Sequence, residues 1–450
     1  MRFSFQSKLK SLFVMVVIFS VGVLMLAAVP AHAGDKFITL GWAAWDPANA
    51  LVELSKDFTK KTGIEVKFVF VPWTNFADRM LNELNQGGKT FDVLIGDSQW
   101  IGLGAVYGHY VKLNDFFKKE GIDMNTFLYP AVYAYSTWPK GSKNYYALPA
   151  FGDAVGWAYR KDWFERPELQ KEFMKKHGYK LGVPKNWTQL LEMAQFFQGR
   201  VIDGKKRYGA AIYTERGSEG ITMGVLTAMF AWDAKLHDPK NPYHMDGYIN
   251  GPNAIAALKF YKKLYKTCSP PGHSDAYMSA DLDTYDSGQT AFEMNFFAFF
   301  PGINKSKNVG FGKSGFFANP PQVTHGTMIG GQGMSVVSYS DKKDLAFQYL
   351  KWFATPEVQK KWWGLGGYTC SKAVLTDPNF VKSQPYAQGF LDSMKMVHDF
   401  WQEPTYVELL LAMQKRIHDY VVGDKGTAKQ ALDLLRKDWH DVFEEEGKYK

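Results

Sequence analysis

The chain of 450 residues is long enough for two or three domains, and its 53 Lys and Arg against 45 Asp and Glu leave a formal charge of +8. The basic residues punctuate the chain, as in Lys56-Asp57 and Lys60-Lys61, and do not cluster, which excludes a nucleic-acid patch. The N-terminus reads as an export signal. Arg2, Lys8 and Lys10 precede an apolar run over 11–29, and Ala31-His32-Ala33 satisfies the small-x-small cleavage rule, so residues 1–33 are expected to be removed after Ala33. The competing reading of this run is an uncleaved anchor. No cysteine follows it, which excludes lipoprotein attachment, and no other segment is apolar for long enough to span a bilayer.

The exported part alternates strand and helix. Strands are predicted over 37–41, 65–71 and 91–95, with amphipathic helices over 48–61 and 76–84 between them. This β-α-β-α-β order predicts an α/β domain with a largely parallel sheet. A short strand, Tyr146-Ala147-Leu148, is expected to stop at Pro149. A small-residue segment over 150–154 then carries a lone Phe151 and a lone Asp153, and a second apolar run follows over 155–159. Small residues between two strands suit a crossover between two lobes, and an aromatic and a carboxylate there suit a ligand clamped between them.

Beyond this point the pattern is helix-rich. Helices are predicted over 184–197, begun by Pro184 or Thr188, and over 221–232, 253–265, 345–353 and 427–443, with strands over 208–213, 290–300 and 330–338. No internal repeat or low-complexity tract is present.

Several of these segments together carry a resemblance. They are YYALPAFGDAVGWAYRKDWF at 145–164, FDVLI at 91–95, PKNWTQLLEMAQ at 184–195, SGQTAF at 287–292, the Gly330-Gly331 strand followed by AFQYLKWFATPEVQKKW, and VVGDKGTAKQAL near the C-terminus. In this order, after an export signal, they resemble the family 1 extracellular solute-binding proteins, the sugar-type receptors of ABC importers. The resemblance implies a two-lobed periplasmic binding protein type II fold of the α/β class. Each lobe would be a mixed sheet flanked by helices, with a ligand cleft between the lobes. One lobe would comprise 34–149 plus 290–340 and the other 150–289 plus 341–450. It further implies a periplasmic monomer that takes no cofactor and delivers a neutral carbohydrate or polyol to membrane permease subunits.

The candidate site follows from where such sheets place ligands, outside the carboxyl ends of strands. A sugar has apolar C–H faces and a rim of hydroxyls, so flat rings and planar polar groups suit it. Trp42, Trp45, Trp73, Phe151 and Phe297 are candidate platforms, and Asp97, Gln99, Asp153, Asn295 and Gln332 are candidate hydrogen-bonding groups. Strand alternation puts Glu293, Asn295 and Phe297 on the ligand side and Phe292, Met294 and Phe296 in the core. Tyr213, Trp232 and Tyr368 are the candidates from the second lobe. Each has a structural alternative, since an Asp at a strand end often caps the next helix and a Trp often packs.

Catalytic and metal motifs give little. Gly310-Phe311-Gly312-Lys313-Ser314-Gly315 matches G-x-G-x-x-G but lacks the flanking strand and helix, and Lys307 stands where a P-loop needs glycine. Asp281, Asp283 and Asp286 miss the spacing of a calcium loop, and the ten histidines contain no H-x-x-x-H pair, so no metal is expected. A glycan-cleaving enzyme remains the alternative, because its carboxylates assemble in space, and a receptor for iron or a polyamine is another. Cys268 and Cys370 are expected to form a disulfide in an oxidising compartment, with two buried free thiols as the alternative.

Overall fold

The computed structural model describes residues 36–303 and 310–449. The export signal lies outside them. Eight strands and nine helices position the site. They are β1 (Phe37–Ala43), α1 (Asp46–Thr62), β2 (Glu65–Val71), α2 (Trp73–Asn85), β3 (Val93–Asp97), β4 (Leu148–Arg160), α3 (Trp187–Phe197), β5 (Tyr208–Ala211), α4 (Gly220–Ala231), α5 (Pro252–Cys268), β6 (Thr290–Phe296), β7 (Ser314–Ala318), β8 (Thr327–Val336), α6 (Lys343–Phe353), α7 (Pro356–Gly364), α8 (Tyr406–Val421) and α9 (Ala428–Glu445).

Local chemistry accounts for the ends of these elements. Pro47 opens α1, Lys60 and Lys61 sit in its last turn where the helix dipole favours cations, and Gly63 closes it at φ 71°. Leu51, Leu54 and Phe58 form its buried stripe. Asn186 caps α3 by accepting from the Gln189 N–H at 2.8 Å, so the start lies neither at Pro184 nor at Thr188. Thr427 and Gln430 cap α9 reciprocally.

The main sheet runs β2-β1-β3-β8-β4-β6-β5, with β7 also on β4. β1 is parallel to β2 and β3, and β5 is parallel to β6, whereas β8 runs antiparallel to β3 and β4, and β4 antiparallel to β6 and β7. The sheet is thus mixed, and this is the two-lobed α/β architecture expected. The predicted break between two strands is absent: β4 is one strand of 13 residues. Its first half, to Ala154, pairs with β8, and its second half, from Val155, pairs with β6 and β7. Pro149 does not stop it, because the register shifts there. Phe151 pairs with Gln332 but Pro149 with Gly333, which leaves Ala150 as a bulge. A proline without an N–H is tolerated at such a place. The Ala150 carbonyl accepts from the Trp362 indole at 3.1 Å.

Helices α6 and α7 lie against the β1–β3 end of the sheet. Tyr349 bonds Ser55 of α1 at 2.7 Å, and Lys361 pairs with Asp57. Helices α4, α5, α8 and α9 pack together at the other end. The disulfide expected between Cys268 and Cys370 is not formed. Both thiols are free and buried, Cys268 beside Gly209 of β5 and Cys370 beside Gly152 of β4. Burial pushes the Cys268 thiol up to about 12 and raises the Cys370 thiol further. Among the described residues no helix is long and apolar enough to cross a membrane.

Candidate functional site

A narrow cleft with a free volume of about 40 Å³ opens where β1 and β3 end, over Asp153 of β4 and the β8 segment Ile329 to Gln332. Its far wall comes from the loop ahead of α4, the loop before residue 279 and the end of β6. Ile329 also borders a wider outer chamber of about 630 Å³, lined by Tyr133, Trp138, His237, Asp399 and Trp401 among others.

The near wall is aromatic because β1 and β2 both deliver tryptophan at their ends. Trp45 precedes α1 and Trp73 opens α2, and their rings lie 5.6 Å apart. Phe296 and Phe299 also line the cleft, and the Phe299 ring lies 6.4 Å from that of Trp45, tilted by 50°. The polar floor is a relay. The Trp42 indole N–H donates to Gln332 Oε1, and Gln332 Nε2 donates to Asp97 Oδ1 at 2.6 Å. Burial, opposed by the Gln332 bond and reinforced by the charge of Asp399, pushes the Asp97 carboxyl up to about 7. Asp97 stands at the cap position of the short helical turn 98–100 but makes no side-chain capping bond, so the capping alternative does not hold.

Asp153 accepts from the Ala154 N–H at 2.8 Å and from the Ala298 N–H at 3.4 Å, and burial raises its carboxyl well above the usual range. Burial also raises Glu219, with the charges of Asp97 and Asp399 adding to the effect. The Gln99 side chain bonds Glu219, which leaves Gln99 Oε1 without a protein partner. The Trp45 indole N–H and the Tyr277 hydroxyl are likewise buried without one. Buried polar atoms normally find partners, so three unpaired ones on one cleft call for a polar ligand.

Of the sequence candidates, Trp45, Trp73, Asp97, Gln99, Asp153 and Gln332 line the cleft. Seven others do not. Trp42 is fully buried behind it, edge-on to Trp45, because β1 continues two residues past its predicted end. Phe151 and Tyr368 pack in a second layer behind Trp45, their rings 5.4 Å apart and tilted by 58°, and the Tyr368 hydroxyl is spent on the Phe297 carbonyl. Tyr213 is buried and donates to Asn295 Oδ1 at 2.7 Å, which occupies both side chains. Trp232 packs on Trp187 and Phe260. Phe297 packs on Phe300 and Phe390, while Phe296, expected in the core, reaches the cleft. The parity fails because β6 ends at Phe296 and a helical turn follows over Phe297–Phe299.

Sequence reasoning missed Ser98, Glu219, Met223, Tyr277, Met278 and Phe299. Glu219 lies in the loop after β5 that also holds Tyr213, a strand end to which the rule for ligand placement was not applied. Gly310 to Lys313 form a turn into β7, as the lack of flanking elements implied. His440, Asp441 and Glu444 bring possible ligand atoms within 4.8 Å of one another, but Lys437 already pairs with Asp441 and Tyr449 stacks on His440.

The family model described as bacterial extracellular solute-binding protein matches residues 44–360. A probable ABC transporter-binding protein of Deinococcus radiodurans is 26% identical over 374 residues, covering 81% of this chain and 83% of that one. The maltose-bound MalE3 of T. maritima superposes with a TM-score of 0.76 at 21% identity, over 90% of this chain and 100% of the other. A solute-binding protein of Agrobacterium radiobacter in complex with ribitol gives 0.75 at 20% identity, over 90% and 98%.

Proposed function

Because the chain belongs to the bacterial extracellular solute-binding proteins, we propose that it captures a carbohydrate or polyol in the periplasm and delivers it to the permease of an ABC importer. One observation carries the reading: the rings of Trp45, Trp73, Phe296 and Phe299 line the same cleft as Asp97, Gln99, Asp153 and Gln332, with buried polar atoms left unpaired. Rings cover the C–H faces of a sugar, and planar acceptors take its hydroxyl hydrogens. The maltose and ribitol held by similar structures support the same class.

We place the division between lobes inside β4, between Ala154 and Val155, where its pairing partner changes from β8 to β6. On this division α6 and α7 go with the first lobe, so that lobe extends beyond residue 340 to Gly364. A ligand that touches both walls stabilises the closed form, and closure of a monomer presents one surface to the permease. Titration calorimetry against mono-, di- and oligosaccharides and polyols tests the reading. Stoichiometric binding of one of them without turnover is expected. Cleaved product would overturn it in favour of a glycan-cleaving enzyme, and selective binding of iron in favour of a metal receptor.

A further inference from the structure

The cleft sorts charge against the sign of the molecule. The chain carries +8 overall, yet among the described residues the inner chamber is lined by Asp97, Asp153 and Glu219 and by no Lys, Arg or His. The basic side chains, Lys140, Lys235 and Lys448, border the outer chamber instead. Asp399 sits between the two, held by Ser98 at 3.2 Å and Gln402 at 2.7 Å, with Lys140 facing it from outside. The unpartnered buried atoms inside are two oxygens that can accept, Gln99 Oε1 and the Tyr277 hydroxyl, and one donor, the Trp45 indole N–H. Gln99 is 4% exposed with its Oε1 unpartnered, and Tyr277 is 7% exposed with its hydroxyl unpartnered.

We infer that the polyhydroxylated solute carries a protonated amine, held in the inner chamber among Asp97, Asp153 and Glu219 against the Trp45 and Tyr277 rings. The inference rests on the sugar reading and narrows it from a neutral ligand to an aminated one. A neutral hydroxyl both donates and accepts but brings no charge, so it leaves these carboxyls biased by burial toward their protonated form. An alkylammonium donates three hydrogens, accepts none, and supplies the charge the chamber lacks. Its face toward the rings gains the attraction of a cation for an aromatic quadrupole. The carboxyl of Asp97, pushed up to about 7 by burial and by Asp399, is the group that such a cation returns to its ionised form.

The test is a set of matched pairs titrated into the purified protein at pH 7.5: glucosamine with glucose, mannosamine with mannose, glucamine with sorbitol, and N-acetylglucosamine as the neutral control. At least one aminated member is expected to bind about tenfold or more tighter than its neutral partner, and acetylation to remove the gain. In Asp97→Asn and, separately, Glu219→Gln, checked for folding by circular dichroism, the preference should fall several-fold. Equal or tighter binding of the neutral members, or of the acetylated sugar, overturns the inference and leaves the sugar reading standing. Binding of putrescine or choline with none of the sugars or polyols overturns both. A preference unchanged in both folded variants also overturns the inference.

Discussion

Replacing Asp97 by Asn removes a charge and keeps the shape. In the folded protein this carboxyl accepts one bond, from Gln332 at 2.6 Å, and caps no helix. Burial and then Asp399 hold its pKa at about 7 against that bond, where an unfolded chain has about 3.9. Between these values the folded state binds more protons than the unfolded one, so stability falls as pH rises from about 4 to about 7. Three units correspond to at most about 4 kcal/mol. Asn must itself be desolvated and keeps a weaker bond to Gln332, so Asp97→Asn should gain about 1–3 kcal/mol at pH 8, and less at pH 5. Urea unfolding at the two pH values measures this. Ligand affinity should move the other way, falling by about 1–2 kcal/mol, or five- to thirtyfold, as a charge-assisted bond becomes a neutral one. A variant less stable than wild type at pH 8, or a gap that does not widen with pH, would refute the reasoning about burial. Unchanged affinity would refute the contact with ligand.

The Tyr277 hydroxyl has no protein partner, so Tyr277→Phe should leave the melting temperature unchanged or higher and weaken binding two- to tenfold by calorimetry, about 0.5–1.5 kcal/mol. At Gly331, φ is +86°, and an added Cβ would lie 2.3 Å from the Phe151 carbonyl oxygen. Gly331→Ala should therefore destabilise by more than about 2 kcal/mol in denaturant titration, and a wild-type midpoint would count against the strain. Trp42→Ala should cost about 3–5 kcal/mol of stability as a core truncation, whereas Trp45→Ala should chiefly abolish ligand-induced fluorescence change. Unfolded, unreduced protein should show two reactive thiols per chain and native protein none, with a melting temperature indifferent to reductant.

How much of this was legible varies with the kind of signal. The strand Glu65–Val71 was readable to the residue because Glu65 to Phe68 alternate polar and apolar, the β-prone run continues to Val71, and Gly63 marks its start. Trp42 was misplaced although Ile38 and Leu40 lie on the same face two and four residues earlier, so the alternation itself pointed inward. Pro149 was read as a terminator, a sound rule for an unbroken ladder that a bulge on β4 sets aside. Asp97, Gln99, Trp45 and Trp73 emerged from the strand-end rule, since sheet order alone gathers those ends. Glu219 and Tyr277 lie in loops without periodicity, and Glu219 adopts φ 74°, a conformation that side-chain type does not announce. The two cysteines show the limit of compartment reasoning: redox poise permits a bridge, but β-strand spacing decides it.

A loop between two bodies is a pin joint, turning freely and storing nothing. β4 is built otherwise, for Ala154 is still paired with Ile329 when Val155 is already paired with Phe296. Any rotation of one end of the sheet against the other twists a continuous beam clamped along both halves, and a twisted strand pushes back. The thin section lies at Gly152 and Gly156, where a single added carbon would come 2.9 Å from Cys370 Sγ or 2.3 Å from the Phe297 ring. On the proposed division of the lobes, the angle between them therefore depends on a few residues of β4 remote from solvent. A ligand works against that stiffness when it draws the walls together, and a stiffer or softer beam shifts its affinity with every contact in the cleft unaltered.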